Sequence, residues 1–412
     1  MSQIVLENCT LLDCADGAMR ADVNILIDGE RIAEIDEGRL GAKDAQRLDM
    51  AGRTVMPGLM DAHVHVTSTM MDLKRNAEEP MSLTTARAQP IMKAMLARGF
   101  TTVRDAGGAD WGIAAAVENG LFEGPRLFYS GHALSQTGGH GDMRPRVWSG
   151  DMCACCIDNA KMAIVVDGVP EVQKAAREQL KRGATQVKIM ASGGVASPDD
   201  PVDNLQFSAD EISAVVWEAR SWHRYVMAHA YTAEAIDRIV RLGVRSIEHG
   251  NLVDKSTAET MVEHGAFMVP TLVAYEALHK EGRQWGMPQV SLDKIDYVRD
   301  AGLRSLEITR EAGVKMGFGT DLLGECHGYQ SGEFSRRAEV LTPLEIIRSA
   351  TLGNAELFQH EGKLGVIAPD AYADLLAIDG NPLDDLSLLE GQGKHLALIM
   401  KGGVIYKDNL SP

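Results

Sequence analysis

The chain has 412 residues, of which 24% are charged and 45% hydrophobic, the profile of a globular protein longer than one compact core requires. A formal charge of −17 and the lack of basic patches argue against nucleic acid as a partner. No apolar stretch is long enough to span a bilayer, so a membrane is not expected as a partner either.

The opening "MSQIVLENCTLLDCADG" lacks a basic region followed by an apolar one, and a cytoplasmic location is the expectation. The six cysteines suit a reducing compartment: Cys9, Cys14 and Cys326 are scattered, and Cys153, Cys155 and Cys156 crowd into "CACC" without paired zinc-finger spacing. Structural or incidental use is the reading for that cluster. The segment "IVLENCTLLDCADGAMRADVNILIDGERIAEI" reads as short strands with turns, as do "ADLLAIDGNPL" and "LALIMKGGVIYKD" near the other end.

From residue 56 onward, β-branched or apolar runs alternate with helical patterns. The strand candidates are "TVMPGLMDAHVH", "FTTVRDAG", "RLFYSGH", "TQVKIMASG", "YVMAHA", "SIEHG", "FMVPTL" and "KMGFGTD". Among the helices, "SADEISAVVWEARSWHR" opens on the capping box Ser208 to Glu211. "TPLEIIRSATLGNAELF" has Thr342 as cap, Pro343 in the first turn and Glu345 three positions on. About eight strand and helix alternations predict an α/β fold, a (β/α)8 TIM barrel whose active site lies at the carboxyl ends of its strands.

Those ends carry chemistry. His63 and His65 close the first strand, where residues two apart share a face and two imidazoles can hold a metal ion. Lys188 lies on the fourth strand, His229 ends the fifth, His249 the sixth, and Asp321 the eighth. Singly, each has a bland alternative: a hydrogen-bonded core histidine, a snorkelling lysine, an aspartate capping the next helix. As a set at matching positions they point to a metal site. Lys188 is the most informative member, because an ammonium cannot ligate a cation and burying one unpaired is costly.

The order His-x-His, Lys, His, His, Asp resembles the amidohydrolase superfamily, in the binuclear subtype with a carboxylated lysine on strand four. The resemblance covers nearly the whole chain. "PGLMDAHVH", "VKIMASGGV", "AHAYTAEAIDRIVRLGVRSIEHG", "GFGTD" and "KLGVIAPDAYADLLAIDGNPL" are similar to metal-dependent carboxypeptidases and dipeptidases, and above all to the Xaa-Pro dipeptidase (prolidase-like) group. "SQTGGHGD" and Tyr231, two positions after His229, mark that group. The resemblance implies a small β-sandwich built from both termini, dividing the chain into 1–56, 57–365 and 366–412. It implies two divalent metal ions, zinc foremost, with His63, His65 and Asp321 on the more buried ion. His229 and His249 would hold the more exposed one, and carboxylated Lys188 would bridge both. A homo-oligomer is implied as well.

Such a centre would generate a nucleophile from water and polarise a carbonyl, with Asp321 as ligand and catalytic proton carrier. By resemblance, His140 and Tyr231 reach the substrate's carbonyl or terminal carboxylate. His132 ranks below them, His223 and His264 suit helix ends, and His327 is expected to face the pocket and tune specificity. Arg104, Arg144 and Arg146 are open candidates for a substrate carboxylate. The leading substrate is an Xaa-Pro dipeptide. Alternatives are an Xaa-Arg or Xaa-Lys carboxypeptidase, for which Glu325 or Glu333 would face the basic side chain, and an aromatic N-acyl amino acid amidohydrolase. More distant are a one-metal cyclic amidohydrolase of the imidazolonepropionase kind and an inert scaffold.

Overall fold

The computed structural model of the protein describes residues 3–38, 40–144, 162–197 and 199–410. Its N-terminal run forms β1 (Ile4–Leu12), β2 (Met19–Asp28), β3 (Arg31–Asp36), β4 (Gln46–Asp49) and β5 (Thr54–Pro57). Asp28 pairs with Arg31, so a two-residue turn joins β2 to β3, and Gly29 supplies the positive φ of 59° that such a turn requires.

The barrel strands follow as β6 (Leu59–Val64), β7 (Phe100–Asp105) and β8 (Arg126–Tyr129), with two further short strands, β9 (Ala133–Ser135) and β10 (Ala163–Val165). Then come β11 (Val187–Met190), β12 (Val226–Thr232), β13 (Ser246–Leu252), β14 (Phe267–Val269) and β15 (Lys315–Met316). The chain ends with β16 (Leu375–Ile378), β17 (Leu396–Lys401) and β18 (Val404–Asp408).

β5 pairs antiparallel with β16, from Thr54 opposite Ile378 to Pro57 opposite Leu375, which joins both termini in one eight-stranded sheet. Alternation along β16 gives that sheet two apolar faces. Leu375 and Ala377 enter a core with Leu6, Ile25 and Met400, whereas Leu376 and Ile378 pack with Leu96 and Phe100 of the barrel.

The eight barrel strands are parallel in two hydrogen-bonded groups, β6 to β8 and β11 to β15, with β9 leading the second group beside β11 and β10 alongside β9. Backbone bonds cross both seams. Thr185 N–H donates to Tyr129 O at 2.9 Å, and Ala62 N–H donates to Phe318 O at 2.7 Å. Asn354 binds the second seam with its side-chain amide, giving Nδ2–H bonds to Met60 O and Phe318 O and accepting from Phe318 N.

Three local features depart from the sequence expectation. The first predicted strand is two, broken at Gly58, where a Cβ would lie 2.1 Å from Thr101 Oγ1 and where the N–H turns to Asp374 O. The third breaks at Gly131, whose φ is 69°, before β9. The last predicted helix runs over Pro343–Arg348, passes through a π turn at Ser349–Gly353 and ends at Asn354–Leu357. Both capping boxes are formed, Ser208 with Glu211 and Thr342 with Glu345.

Candidate active site

One cavity of about 800 Å³ opens at the carboxyl ends of the strands, lined by the six expected metal ligands, His63, His65, Lys188, His229, His249 and Asp321, together with His140 and Tyr231. The histidines stand ring to ring. His63 lies 5.3 Å from His65 and 5.1 Å from His249 between centroids, His229 lies 4.7 Å from His249, and His140 stacks on His229 at 4.3 Å.

Asp321 is the meeting point. Its Oδ1 is 3.2 Å from both His63 Nε2 and His65 Nε2, and donor atoms of His63, His249 and Asp321 lie within 4.8 Å of one another. The remaining ring nitrogens are occupied. His63 Nδ1–H donates to Glu248 Oε2 at 2.7 Å, and His65 Nδ1–H donates to Gly107 O at 3.0 Å. His229 Nε2–H donates to Gly193 O at 3.0 Å, and His249 Nδ1 pairs with Thr271 Oγ1 at 2.8 Å. The atoms left for a ligand are therefore Nε2 of His63, His65 and His249 and Nδ1 of His229. Imidazoles oriented by an outer hydrogen bond, with a carboxylate between them, suit a divalent cation.

Lys188 is buried in the same cavity, and among the described residues its Nζ has no hydrogen bond or ion pair. Burial pushes its pKa down to about 8, against the pull of Glu248 and Asp321.

Backbone conformation brings the ligands inward. Consecutive strand residues face opposite sides, yet Glu248 and His249 both serve the site. His249 has a φ of 75° and Asp321 a φ of 51°, left-handed values that turn each side chain out of the ordinary pleat and that are costly for a residue with a Cβ.

Beneath the cavity, Glu248 accepts from Arg104 Nη2 at 3.0 Å, and Arg104 Nε–H donates to Ala62 O at 2.7 Å. Burial alone would raise the Glu248 carboxyl, but Arg104, His63 and Lys188 hold it well below the usual carboxylate range. Glu248→Ala leaves the guanidinium buried without its counter-ion. Its expected cost is about 3–5 kcal/mol, read as a lower urea midpoint, with Glu248→Gln losing less.

Several expectations need correction. Arg104 is fully buried in that ion pair and cannot meet a substrate carboxylate. Glu333 is buried on Arg337 Nε at 2.7 Å and on Val273 N–H, and Glu325 accepts from Met71 N–H on the surface, so neither lines the cavity. His327 is likewise off the cavity wall, held by its Nε2 on Ser68 O at 2.8 Å. His132 borders a separate cavity of about 250 Å³ with Trp111 and Arg182. Arg144 does line the main cavity, gripping Asp142 with Nε and Nη2, both at 2.6 Å. His264 caps a helix end and His223 follows one, as expected. Arg146 and Cys153, Cys155 and Cys156 lie outside the described residues.

Residues not singled out from the sequence complete the surroundings. Tyr275 donates to Tyr231 through their hydroxyls at 3.0 Å, and Asp61 accepts from Thr320, Gln330 and the backbone N–H of His63. The acid next to His249 was the available signal for Glu248.

Fold and candidate ligands together describe a barrel enzyme whose strand ends could hold a divalent metal. The sequence profile of the amidohydrolase family matches residues 54–405, and the chain belongs to that family as a metal-dependent amide hydrolase. A crystal structure of a prolidase complexed with N-methylphosphonate-L-proline is 53% identical, with a TM-score of 0.97 over 99% of this chain and 100% of that one. A Xaa-Pro dipeptidase with methionine in its active site is 31% identical, with a TM-score of 0.87 over 98% and 100%. The ochratoxinase of Aspergillus niger is 32% identical over 382 residues, 86% of this chain and 75% of that protein. No helix among the described residues is long and apolar enough to cross a membrane.

Proposed function

We propose that the protein is a binuclear Xaa-Pro dipeptidase. The observation that carries the two-metal reading is Lys188, a buried amine without an ion-pair partner in a cavity that also gathers four histidines and Asp321 as candidate ligands. Its neutral form, favoured by burial, adds through Nζ to carbon dioxide and releases a proton, giving a carbamate. His63, His65 and Asp321 would hold one ion, His229 and His249 the other, and the Lys188 carbamate both. Zinc is the first candidate for the metal. Two bound ions would lower the pKa of water and polarise the amide carbonyl.

The chain's own groups then direct the reaction. Asp321 Oδ1 faces the His63 and His65 nitrogens, leaving Oδ2 to take a proton from the attacking water and pass it to the departing nitrogen. An amine leaves readily only when protonated. The Tyr231 and Tyr275 hydroxyls lie 3.0 Å apart, and with Tyr275 donating, the Tyr231 O–H would be available to a substrate oxygen. His140, stacked on His229 at 4.3 Å and lining the same cavity, would be the second group to meet the substrate.

Similarity to the prolidase and to the Xaa-Pro dipeptidase supports proline as the leaving residue. Met190, Val195, Leu278 and Leu323 give the cavity apolar wall suited to such a ring. A second reading, an N-acyl amino acid amidohydrolase for aromatic residues, draws on the ochratoxinase similarity and on a cavity of about 800 Å³, roomier than a dipeptide requires. A panel of dipeptides and N-acyl amino acids, assayed with zinc and bicarbonate, separates the two. Xaa-Pro substrates are expected to give the highest kcat/KM, and activity confined to aromatic or basic C-terminal residues would replace the proline reading. Chelation is expected to abolish turnover, and zinc with bicarbonate to restore it.

A further inference from the structure

The loop after β11 holds a hydrogen-bond system that ends on His140. Asp200 is buried and takes three donors: Gly194 N–H at 3.2 Å, Gln206 Nε2–H at 3.0 Å and the Ser197 hydroxyl. Gln206 returns its Oε1 to the backbone N–H of His140 at 3.0 Å. Ser197 Oγ lies 2.7 Å from His140 Nδ1. Lys294, reaching in from the helix Gln289–Ala312, donates to the carbonyls of Gly194, Ser197 and Asp200 and clamps the loop from outside.

Proton counting gives this system a direction. A serine hydroxyl carries one proton, and Ser197 spends it on Asp200. Ser197 Oγ can then only accept from His140, which places the proton on Nδ1 and leaves Nε2 as the ring atom presented to the cavity. Gln206 is oriented by the same carboxylate, since its amide must give Nε2–H to Asp200 while receiving the His140 backbone N–H. Space is reserved as well: a Cβ on Gly194 would stand 2.0 Å from the His140 ring, so only glycine lets the imidazole lie against the loop and stack on His229.

We infer that Asp200 is a positioning residue for amide hydrolysis, which fixes the tautomer and orientation of His140 through Ser197 and Gln206. This rests on His140 meeting the substrate. The carboxylate lies 4.0 Å from His140 Nδ1 with Ser197 between them. An amide at position 200 offers one acceptor oxygen to three donors. Its NH2 would turn the Ser197 proton toward His140 and drive the ring proton to Nε2.

The test uses the metal-loaded enzyme labelled with 15N-histidine, with His140 assigned through His140→Asn. Wild type is expected to show His140 as the Nδ1–H tautomer, and both Asp200→Asn and Ser197→Ala to lose that signature. With whichever substrate of the panel is turned over fastest, each is expected to lower kcat/KM by about 10–100-fold at unchanged metal content. The double variant is expected to be no worse than the poorer single one, because both act on one path. Ser197→Ala serves alone if Asp200→Asn does not fold. An Nε2–H tautomer in wild type, an unchanged His140 signature in the variants, losses that multiply, or loss of metal would each overturn the inference. The spectra need no substrate, so failure of the proline reading leaves this test standing.

Discussion

Lys188→Ala is expected to lower turnover by at least about 10³-fold, the scale on which removal of one preorganised electrostatic element is felt, and to leave fewer than two ions per chain. The amine lies in the cavity that His63, His65, His229, His249 and Asp321 share, with no ion-pair partner of its own among the described residues. Alanine can neither be carboxylated nor reach across. A signature separates this role from a packing role. An unpaired buried amine destabilises a fold, whereas methionine of similar length fills the same space without a charge. Lys188→Met should therefore be inactive, yet as resistant to urea as the metal-free wild type or more so. Added short-chain carboxylates should return part of the activity to Lys188→Ala by supplying the missing oxygens. Full activity in either variant would remove the lysine from the chemistry.

Asp321→Asn carries the second large effect, a loss of about 10²–10⁴-fold in kcat, the range of a general acid and base contribution. Asparagine keeps the shape of the side chain and one oxygen for ligation but cannot carry a proton. The diagnostic is dependence on the leaving group. Peptides releasing proline should suffer the full loss, and activated esters, whose phenolate leaves without protonation, should suffer less. Equal losses across the series would leave Asp321 as a ligand only.

The candidate ligands could be read from the sequence because their chemistry is carried by residue type and by place along the barrel strands. His63 and His65 are two apart, Lys188, His229 and His249 lie on barrel strands, and Asp321 follows the eighth strand by five residues. What lay hidden was set by backbone geometry and by long-range pairing. His249 joins its neighbour Glu248 at the site through a left-handed φ of 75°, a conformation that residue type alone does not announce. Arg104 looked available to substrate, but its strand aims it at Glu248 inside the barrel. Glu333 looked free for a basic side chain, but Arg337 one helical turn on claims it.

The fold was legible to a similar depth. Strand and helix alternation pointed to the barrel, the turn-rich ends to short strands, and the family resemblance to the joining of both ends. The break at Gly58 was not, because it arises from the approach of Thr101, 43 residues away along the chain, to where a side chain would stand. β9 and β10, three residues each, are additions to the eight strands expected from the sequence. Asp200 was invisible for the same reason as Glu248: its importance lies in which donors converge on it, and Gly194, Ser197 and Gln206 do so only after the loop closes.

The most direct test is a crystal structure of the enzyme prepared with zinc and bicarbonate, with anomalous scattering recorded at the metal edge. Two peaks per chain are expected, one by His63, His65 and Asp321 and one by His229 and His249, joined by continuous density from Lys188 Nζ to a carbamate. A single peak beside an unmodified Lys188 would contradict the account.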